Sequence, residues 1–177
     1  MSNRSVGLII LTELPSGELV AVLRERGSFN FEKMEPESWP GGCQVTVHGK
    51  LEDHEKAVEC LYREMQEELG EEFAFFFWKT HIRTMSEVCL VLTDKKQIVT
   101  LADKVDFDAL CKIRLEPGTG CVRFLRPQEI PHIKRLEEFS KARGVPGRET
   151  VAMFEDEKKA VLAAFGHFAP HLVAGLR

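Results

Sequence analysis

The sequence predicts a layered α/β or α+β domain in which helices cover a twisted mixed sheet. Short aliphatic runs bounded by turn residues, typical of strands, occur early in the chain and again before its last third. Helical patterns separate and follow these runs, and such a mixed order is typical of layered folds. With 177 residues and 44% hydrophobic content, the chain has the size of one domain. We therefore expect a single domain over residues 1–177.

The chain is predicted to begin with a β-hairpin. Residues 5–12 and 19–23 are rich in aliphatic side chains, and a Pro-Ser-Gly turn sequence separates them. A loop without clear periodicity then leads into the Pro-Gly-Gly sequence that starts at Pro40. Apolar and polar residues alternate over 43–48, which predicts a half-buried strand.

The most informative helix is predicted over 55–69. Gly70 ends it, at the position where a residue with positive φ commonly closes a helix. The last predicted helix carries an apolar stripe that we expect to pack in the core. The further predicted elements are strands over 73–78, 82–92 and 121–125, helices over 128–142 and 149–168, and either a short helix or an extended segment over 105–113.

Composition excludes several classes of protein. The five cysteines are scattered and form no Cys-x-x-Cys pair, so we expect buried, reduced thiols and no zinc site. The longest apolar run near the start, 6–11, is too short to span a bilayer and is not part of a signal peptide, so we expect a cytoplasmic protein without membrane attachment. No stripe of basic and aromatic residues indicates a long nucleic-acid partner.

Negative charge is concentrated in the segment 52–72. It contains nine acidic and two basic residues, so its net charge is −7 while the rest of the chain carries +3. On a helical wheel of the predicted helix, the apolar face spans an arc of about 140°. Glu64, Glu67 and Glu68 lie beside this face, at the border between core and solvent, where acidic side chains can line a cleft.

These three glutamates are unfavourable for the helix by themselves. Like charges three and four residues apart repel, and a helix C-terminus favours cations over acids. A hard divalent cation such as Mg²⁺ compensates for this, because it prefers carboxylate oxygens and shares its remaining ligand positions with water and phosphate. The charge pattern alone leaves one alternative open, a solvated acidic face in which Arg63 pairs with Glu59 or Glu67.

The spacing of these residues resembles the Nudix box, G-x5-E-x7-R-E-U-x-E-E-x-G-U, in which U is a bulky apolar residue. All seven fixed identities occur between Gly49 and Gly70, and the final position, Glu71, is the one departure. We expect this departure to alter packing at the helix exit. The resemblance implies an α/β/α sandwich with a central mixed sheet. It also implies a pyrophosphohydrolase that uses Mg²⁺ or Mn²⁺.

The resemblance further implies a substrate class and residue roles. The substrate is a nucleoside diphosphate linked to another group, as in a nucleoside triphosphate, a nucleotide sugar, ADP-ribose or a dinucleoside polyphosphate. Glu55 and Arg63 correspond to positions that shape the loop and orient the catalytic carboxylates. The expected metal ligands are Glu64, Glu67, Glu68 and the carbonyl of Gly49.

Outside the box the match is less regular. In family members the Pro-Gly-Gly run often merges with the box, whereas here Gly42 lies seven residues upstream of Gly49. The usual Gly-Glu at the helix entry is His54-Glu55. We therefore expect a longer strand edge or loop around the site, and substrate analogies with short-loop members do not transfer.

Attack of water at phosphorus requires a base and positive charge near the phosphates. The expected base is Glu64 or Glu67, and the alternatives from distant segments are Glu87 and Glu116. Strand alternation directs the two arginines at the end of the second strand to one face. The expected substrate-binding residues are Arg24, Arg26 and Trp39.

Two other functions fit parts of this pattern. A Nudix-fold sensor would bind a nucleotide without cleaving it, but it would not need the complete set of glutamates. A Nudix-type isomerase of prenyl diphosphates would need a reactive cysteine in a recognisable setting, and none of the five has one. The sequence leaves a monomer and a homodimer open.

Overall fold

The computed structural model describes residues 3–31, 33–115, 119–139, 141, 143–145 and 150–175. The strands are β1 (Asn3–Glu13), β2 (Leu19–Arg26), β3 (Phe29–Asn30), β4 (Glu35–Pro36), β5 (Cys43–Gln44), β6 (Val47–Lys50), β7 (Ser86–Leu92), β8 (Lys96–Lys104), β9 (Thr119–Leu125), β10 (Lys134–Arg135) and β11 (Ala152–Met153). The helices are α1 (Ala57–Leu69), α2 (Glu71–His81), α3 (Glu155–Phe168) and α4 (Pro170–Val173), with short 3₁₀ helices over Phe107–Lys112, Ile130–His132 and Leu136–Glu138. Within these ranges no helix is both long and apolar enough to cross a membrane.

A mixed sheet forms the centre of the molecule. Its strand order is β5-β2-β1-β8-β7, with β6 paired to β1 and β9 paired to β2. β1 and β8 are parallel, and the other neighbours in this sheet are antiparallel. The predicted hairpin is confirmed as β1 and β2, and Gly17 takes a φ of 85° in its turn.

The sheet divides beside β1. β2 pairs with β1 from Val22 toward the hairpin, while β6 pairs with the other half of β1 from Val47 onward. The gap between β2 and β6 beside β1 is here called the fork. The hydroxyl of Thr46 lies in it, where it accepts a hydrogen bond from the Ile10 N–H at 2.8 Å and donates one to the Val22 carbonyl. The end of β2 and the whole of β6 therefore face each other across an opening in the sheet.

Apolar cores lie on both faces of the sheet. Because side chains alternate along a strand, Ile9 and Leu11 of β1 pack on the α3 side, with Phe165, while Leu8 and Ile10 pack on the side of α1 and α2. The helices thus cover both faces. This arrangement confirms the predicted α/β/α sandwich with a central mixed sheet.

The segment predicted as a strand over 73–78 is a helix, so that prediction was wrong. α2 follows α1 after the single residue Gly70, whose φ of 90° turns the chain. Phe73 and Phe77 are buried at the helical spacing of four, whereas Phe75 is 53% exposed. A run that is apolar at nearly every position has no clear period, and packing against α1 decides its structure.

Glu71, the one departure from the box pattern, belongs to this second helix. Glu71 and Glu72 form the first turn of α2, and both are exposed. Negative charge is favourable at a helix N-terminus because of the helix dipole. The position therefore starts α2, and it does not serve as an apolar contact at the exit of α1.

The helix predicted over 128–142 does not form in the described residues, where two 3₁₀ turns flank β10 instead. Pro131 lies inside the predicted helix, and a proline there lacks the N–H and crowds the preceding turn. The Nζ of Lys158 on α3 donates to the carbonyls of Pro131 and Ile133 at 2.8 and 3.1 Å. The irregular segment is thus held against α3.

Other predicted boundaries shift by a few residues. The strand expected over 43–48 is divided into β5 and β6, the strand expected over 82–92 begins at Ser86, and the last helix begins at Glu155 because β11 precedes it. The segment left open at 105–113 contains a 3₁₀ helix. Cys43 and Cys60 are buried as expected, whereas Cys111 is exposed.

Candidate active site

β6 passes directly beneath α1 at Gly49. A Cβ atom at this position would lie 2.2 Å from Cγ of Glu64 and 2.6 Å from its Oε1. Gly49 also pairs with Val6 in the sheet, so the strand cannot easily move away. The absence of a side chain at Gly49 is therefore what allows Glu64 to lie against the strand.

The three glutamates differ in exposure. The side chains of Glu64 and Glu68 are only 15% and 14% exposed, whereas that of Glu67 is 58% exposed. Met65 and Leu69, on the neighbouring face of α1, are fully buried. The glutamates thus lie at the border of the core, as the helical wheel predicts.

Arg63 ties the loop before α1 to the glutamates. Its Nε and Nη2 each donate to a carboxylate oxygen of Glu55 at 3.1 Å, and Nη1 donates to Glu64 Oε1 at 2.7 Å. Nη2 also donates to the Lys50 carbonyl at the end of β6, at 3.1 Å. The hydrogen bonds from Arg63 lower the pKa of Glu55. One guanidinium thus fixes the orientation of Glu64 relative to both the loop and the strand.

Glu68 is held from the opposite side of the fork. Nη2 of Arg24 on β2 forms an ion pair with its Oε1, and the backbone N–H of His48 on β6 donates to its Oε2 at 3.4 Å. Burial raises the pKa of Glu68 to about 7, and the attraction of Arg24 opposes this rise without cancelling it. Burial also raises the pKa of Glu64, against the hydrogen bond from Arg63. The neighbouring arginines therefore do not offset the effect of burial on these two carboxyl groups.

The donor set fits a hard divalent cation. Carboxylate oxygens are the ligands that Mg²⁺ prefers, and added positive charge would stabilise the ionised form of Glu64 and Glu68. In the described ranges no three His, Cys, Asp or Glu side chains are already gathered as a cation site. Arg24 pairs with Glu68 and Arg63 pairs with Glu64 instead, so cation binding would require these ion pairs to rearrange.

The two arginines expected to bind substrate have different surroundings. Arg24 contacts Glu68, whereas Nη1 of Arg26 donates to Glu37 Oε1 at 3.1 Å. The pairing of β2 with β9 shifts register between Glu25 and Arg26, which is a departure from the regular alternation on which the expectation of a common face rested.

Trp39 packs among other side chains. Its ring lies edge-on to Phe154 with the centroids 5.9 Å apart, beside the small apolar cluster that contains Leu136 and Val145. The Pro-Gly-Gly run that follows lies at the end of β2, since the Arg26 N–H donates to the Gly42 carbonyl at 2.8 Å. This run therefore supports Arg26 and is separate from Gly49.

Of the two alternative general bases, Glu87 lies away from the glutamates and Glu116 is not among the described residues. Glu87 is exposed on the edge strand β7, which is separated from β1 by β8. Glu116 lies outside the described residues. Glu52, an acid before the helix, donates its backbone N–H to Glu55 Oε2 at 2.9 Å and so belongs to the loop that Arg63 holds.

Sequence reasoning missed a cavity on the other side of β6. This cavity, here called the Glu157 cavity, has a volume of about 130 Å³ and lies between the fork and the start of α3. Its lining includes Arg26, Val45, His48, Lys96, Ile98, Phe154, Asp156 and Glu157. Only the folded chain brings these strands to the first turn of α3. The one local signal was the acidic start of the last helix.

Comparison with solved structures identifies relatives of this fold at low identity. A mutT/nudix family protein from Listeria innocua is 15% identical with a TM-score of 0.61, and the match covers 97% of each chain. A MutT/nudix family protein from Enterococcus faecalis is 14% identical with a TM-score of 0.58, covering 99% of this chain and 68% of that one. An Ap4A hydrolase from C. elegans is 12% identical with a TM-score of 0.53, covering 96% of this chain and 98% of that one. No curated protein matches the sequence significantly.

The family assignment comes from the sequence as a whole. The family model described as NUDIX domain matches residues 1–142, which is most of the chain. This range includes β1 to β9, α1 and α2, and every residue of the glutamate site described above. Members of the family are generally pyrophosphohydrolases that use a divalent metal. The chain belongs to the NUDIX domain family.

Proposed function

We propose that this protein hydrolyses a nucleoside diphosphate linked to another group, by attack of water at phosphorus with Mg²⁺ or Mn²⁺ as cofactor. The substrate class comprises nucleoside triphosphates, nucleotide sugars, ADP-ribose and dinucleoside polyphosphates. The observation that carries the proposal is the burial of Glu64 and Glu68 one turn apart on α1, where their arginine partners do not offset the cost of burying two carboxylates.

The metal ligands in this proposal are Glu64, Glu67, Glu68 and the Gly49 carbonyl. A bound divalent cation would neutralise phosphate charge and lower the pKa of a coordinated water. The close approach of Glu64 to Gly49 supports this ligand set, because it brings a carboxylate against the strand backbone. The exposure of Glu67 leaves its side chain able to turn toward the other two.

In this proposal the two arginines orient the carboxylates and attract the phosphates of the substrate. Arg63 holds Glu64 through hydrogen bonds to Glu55 and the end of β6, so it fixes the direction in which that carboxylate accepts a proton or a cation. Arg24 carries the positive charge nearest to Glu68 and would bind phosphate oxygens once a cation occupies the carboxylates. Glu64 and Glu67 are the two candidates for the general base.

A substrate panel with matched variants tests the proposal. The panel contains the four substrate classes with Mg²⁺, and products are identified by chromatography. Glu67→Gln and Glu68→Gln should each lower kcat/KM by about 100-fold, because they remove a ligand of the catalytic cation. Glu72→Gln is the control, since Glu72 is exposed on α2 and pairs with Lys112 away from the site.

A nucleotide-binding sensor is the second candidate. One observation favours it, namely that within the described chain the glutamates pair with arginines and are not gathered around a cation site. A panel without any turnover, together with binding of one of its members in a calorimeter, would select the sensor. Turnover that is lost with Glu67→Gln and Glu68→Gln would exclude it.

A further inference from the structure

We propose that the Glu157 cavity binds the base of the nucleotide substrate, and that Arg26 and Glu157 select among bases at their hydrogen-bonding edge. This inference rests on the proposed function, which supplies a nucleotide as the substrate. It adds a second site across β6 from the glutamates, with its own residues and its own selectivity.

Glu157 is an unusual side chain for a position without a ligand. It lies in the first turn of α3 and is half-buried, and its Oε2 is a buried atom with no hydrogen-bond partner among the described residues. A buried carboxyl oxygen without a partner is strongly unfavourable. The cavity that Glu157 lines is far larger than the roughly 10–15 Å³ that one water molecule needs.

Arg26 supplies the complementary unpaired atom. Its Nη1 is held by Glu37, but its buried Nε–H has no acceptor among the residues that the structure describes. A guanidinium can only donate hydrogen bonds, whereas an ionised carboxylate can only accept them. The cavity lining therefore includes one group that can only donate hydrogen bonds and one that, when ionised, can only accept them.

A heterocyclic base is complementary to Arg26 and Glu157 and to the apolar side chains of the cavity lining. Each base carries a hydrogen-bond donor next to an acceptor on one planar edge. Phe154 provides an aromatic surface for stacking, and the aliphatic side chains of Val45 and Ile98 line the same cavity. Lys96 is already paired with Asp156 at 2.8 Å, so among the charged side chains of the lining we assign base selection to Arg26 and Glu157.

The cavity adjoins the glutamate site through the fork. The His48 ring lines the cavity, while the backbone N–H of the same residue donates to Glu68. On β2, Arg26 lines the cavity, and Arg24, two residues earlier, pairs with Glu68. A nucleotide with its base in the cavity would thus direct its phosphates across the end of β2 toward α1.

Charged groups from every neighbouring element determine when Glu157 is an acceptor. Burial raises its pKa to about 7, Asp156 adds to the rise, and Arg26 on β2 and Lys96 on β8 oppose it. His48 on β6 is uncharged near neutrality, because burial lowers its pKa to about 4. Glu157 should therefore accept hydrogen bonds at pH 8 and donate one at pH 6.

Two matched substrate pairs test the inference. ITP and ATP, like UTP and CTP, differ by an exchange of an oxo group with an adjacent N–H for an amino group with an adjacent ring nitrogen. Because Arg26 only donates and ionised Glu157 only accepts, we expect kcat/KM at pH 8 to differ at least about tenfold within one pair. The ratio should fall toward one at pH 6. A ratio of kcat/KM values cancels any titration of the glutamate site, since both substrates share it.

Glu157→Gln and its control complete the test. The glutamine can both donate and accept, so this variant should lose the discrimination within each substrate pair and its pH dependence. Glu155→Gln is the matched control, because Glu155 lies in the same turn and pairs with Arg135 outside the cavity. Equal kcat/KM within both pairs for the unmodified protein, or discrimination unchanged in a folded Glu157→Gln variant, would overturn the inference.

Binding without catalysis separates this inference from the proposed function. Calorimetry of the unmodified protein with ITP, ATP, UTP and CTP in EDTA measures base selection even if no nucleotide is hydrolysed. Selective turnover supports both proposals, and unselective turnover contradicts the inference alone. Selective binding without turnover contradicts the hydrolase alone, and unselective or absent binding contradicts the cavity assignment. If Glu157→Gln fails to fold, the pH dependence in the unmodified protein still decides.

Discussion

Gly49→Ala is the sharpest test of the glutamate site. The added Cβ would lie 2.2 Å from Cγ and 2.5 Å from Cδ of Glu64, whereas ordinary contacts begin at 3.4 Å. Glu64 must therefore move by more than about 1 Å, which can cost roughly 100-fold in rate when it displaces a group that acts on the substrate. Because Glu64 lies at the rim of the core, we expect the free energy of unfolding to fall by only about 1 kcal/mol.

The assay combines kcat/KM on the best substrate with unfolding in urea. Gly166→Ala is the control, because its Cβ would meet Val173 at an ordinary 3.7 Å and a helical glycine is replaced. That control should keep full activity and gain about 0.5–1 kcal/mol of stability. If Gly49→Ala retains more than half of the wild-type kcat/KM, the close approach of Glu64 to β6 has no role in catalysis.

Four further measurements follow from the same contacts. Arg24→Met leaves the buried carboxylate of Glu68 without its ion pair, so the free energy of unfolding should fall by about 3 kcal/mol, and excess Mg²⁺ should restore part of it. Glu157 has a folded-state pKa of about 7 against its ordinary 4.5, so the folded state binds the proton more tightly. The free energy of unfolding should therefore fall by about 3 kcal/mol as the pH rises from 4.5 to 7. Unfolding of Glu157→Gln in urea should not show this pH dependence. Asp103 is 4% exposed and accepts hydrogen bonds from Thr84 Oγ1 at 2.6 Å and the Lys104 N–H at 2.8 Å, so Asp103→Asn should lower the unfolding midpoint by the equivalent of about 2 kcal/mol. EDTA should abolish turnover, and Mn²⁺ should restore it; activity that persists after exhaustive dialysis against EDTA would contradict the metal requirement.

The parts of the fold that the sequence predicts are those governed by local pattern. α1 combines an apolar face, a terminating glycine and acids at fixed spacing, and each of these is visible without a structure. The hairpin of β1 and β2 is equally local. By contrast, α2 is apolar at most positions, so burial of Phe73 and Phe77 against α1 was needed to choose helix over strand. Pro131 was a visible warning against the helix predicted around it.

The candidate site divides in the same way. The resemblance to the Nudix box implies that Gly49 and Glu64 are ligands of one metal, and the structure brings these two residues into close contact. The Glu157 cavity joins β2, β6, β8 and α3, which are distant in sequence, and no spacing rule connects them. A single domain, cytoplasmic location, a homodimer and the absence of a long nucleic-acid partner stay predictions.

The short strand β6 acts as a partition between two compartments. Val47 and Gly49 face α1, whereas the ring of His48 faces the opposite side. Successive residues of β6 therefore face different sites, the Glu157 cavity on one side and the glutamates on the other. A substitution at His48 can change the shape of the cavity while the backbone N–H of this residue still donates to Glu68. If the cavity selects the base and the glutamates hold the metal, as proposed, substitutions at neighbouring positions of β6 can change the substrate without changing the glutamates.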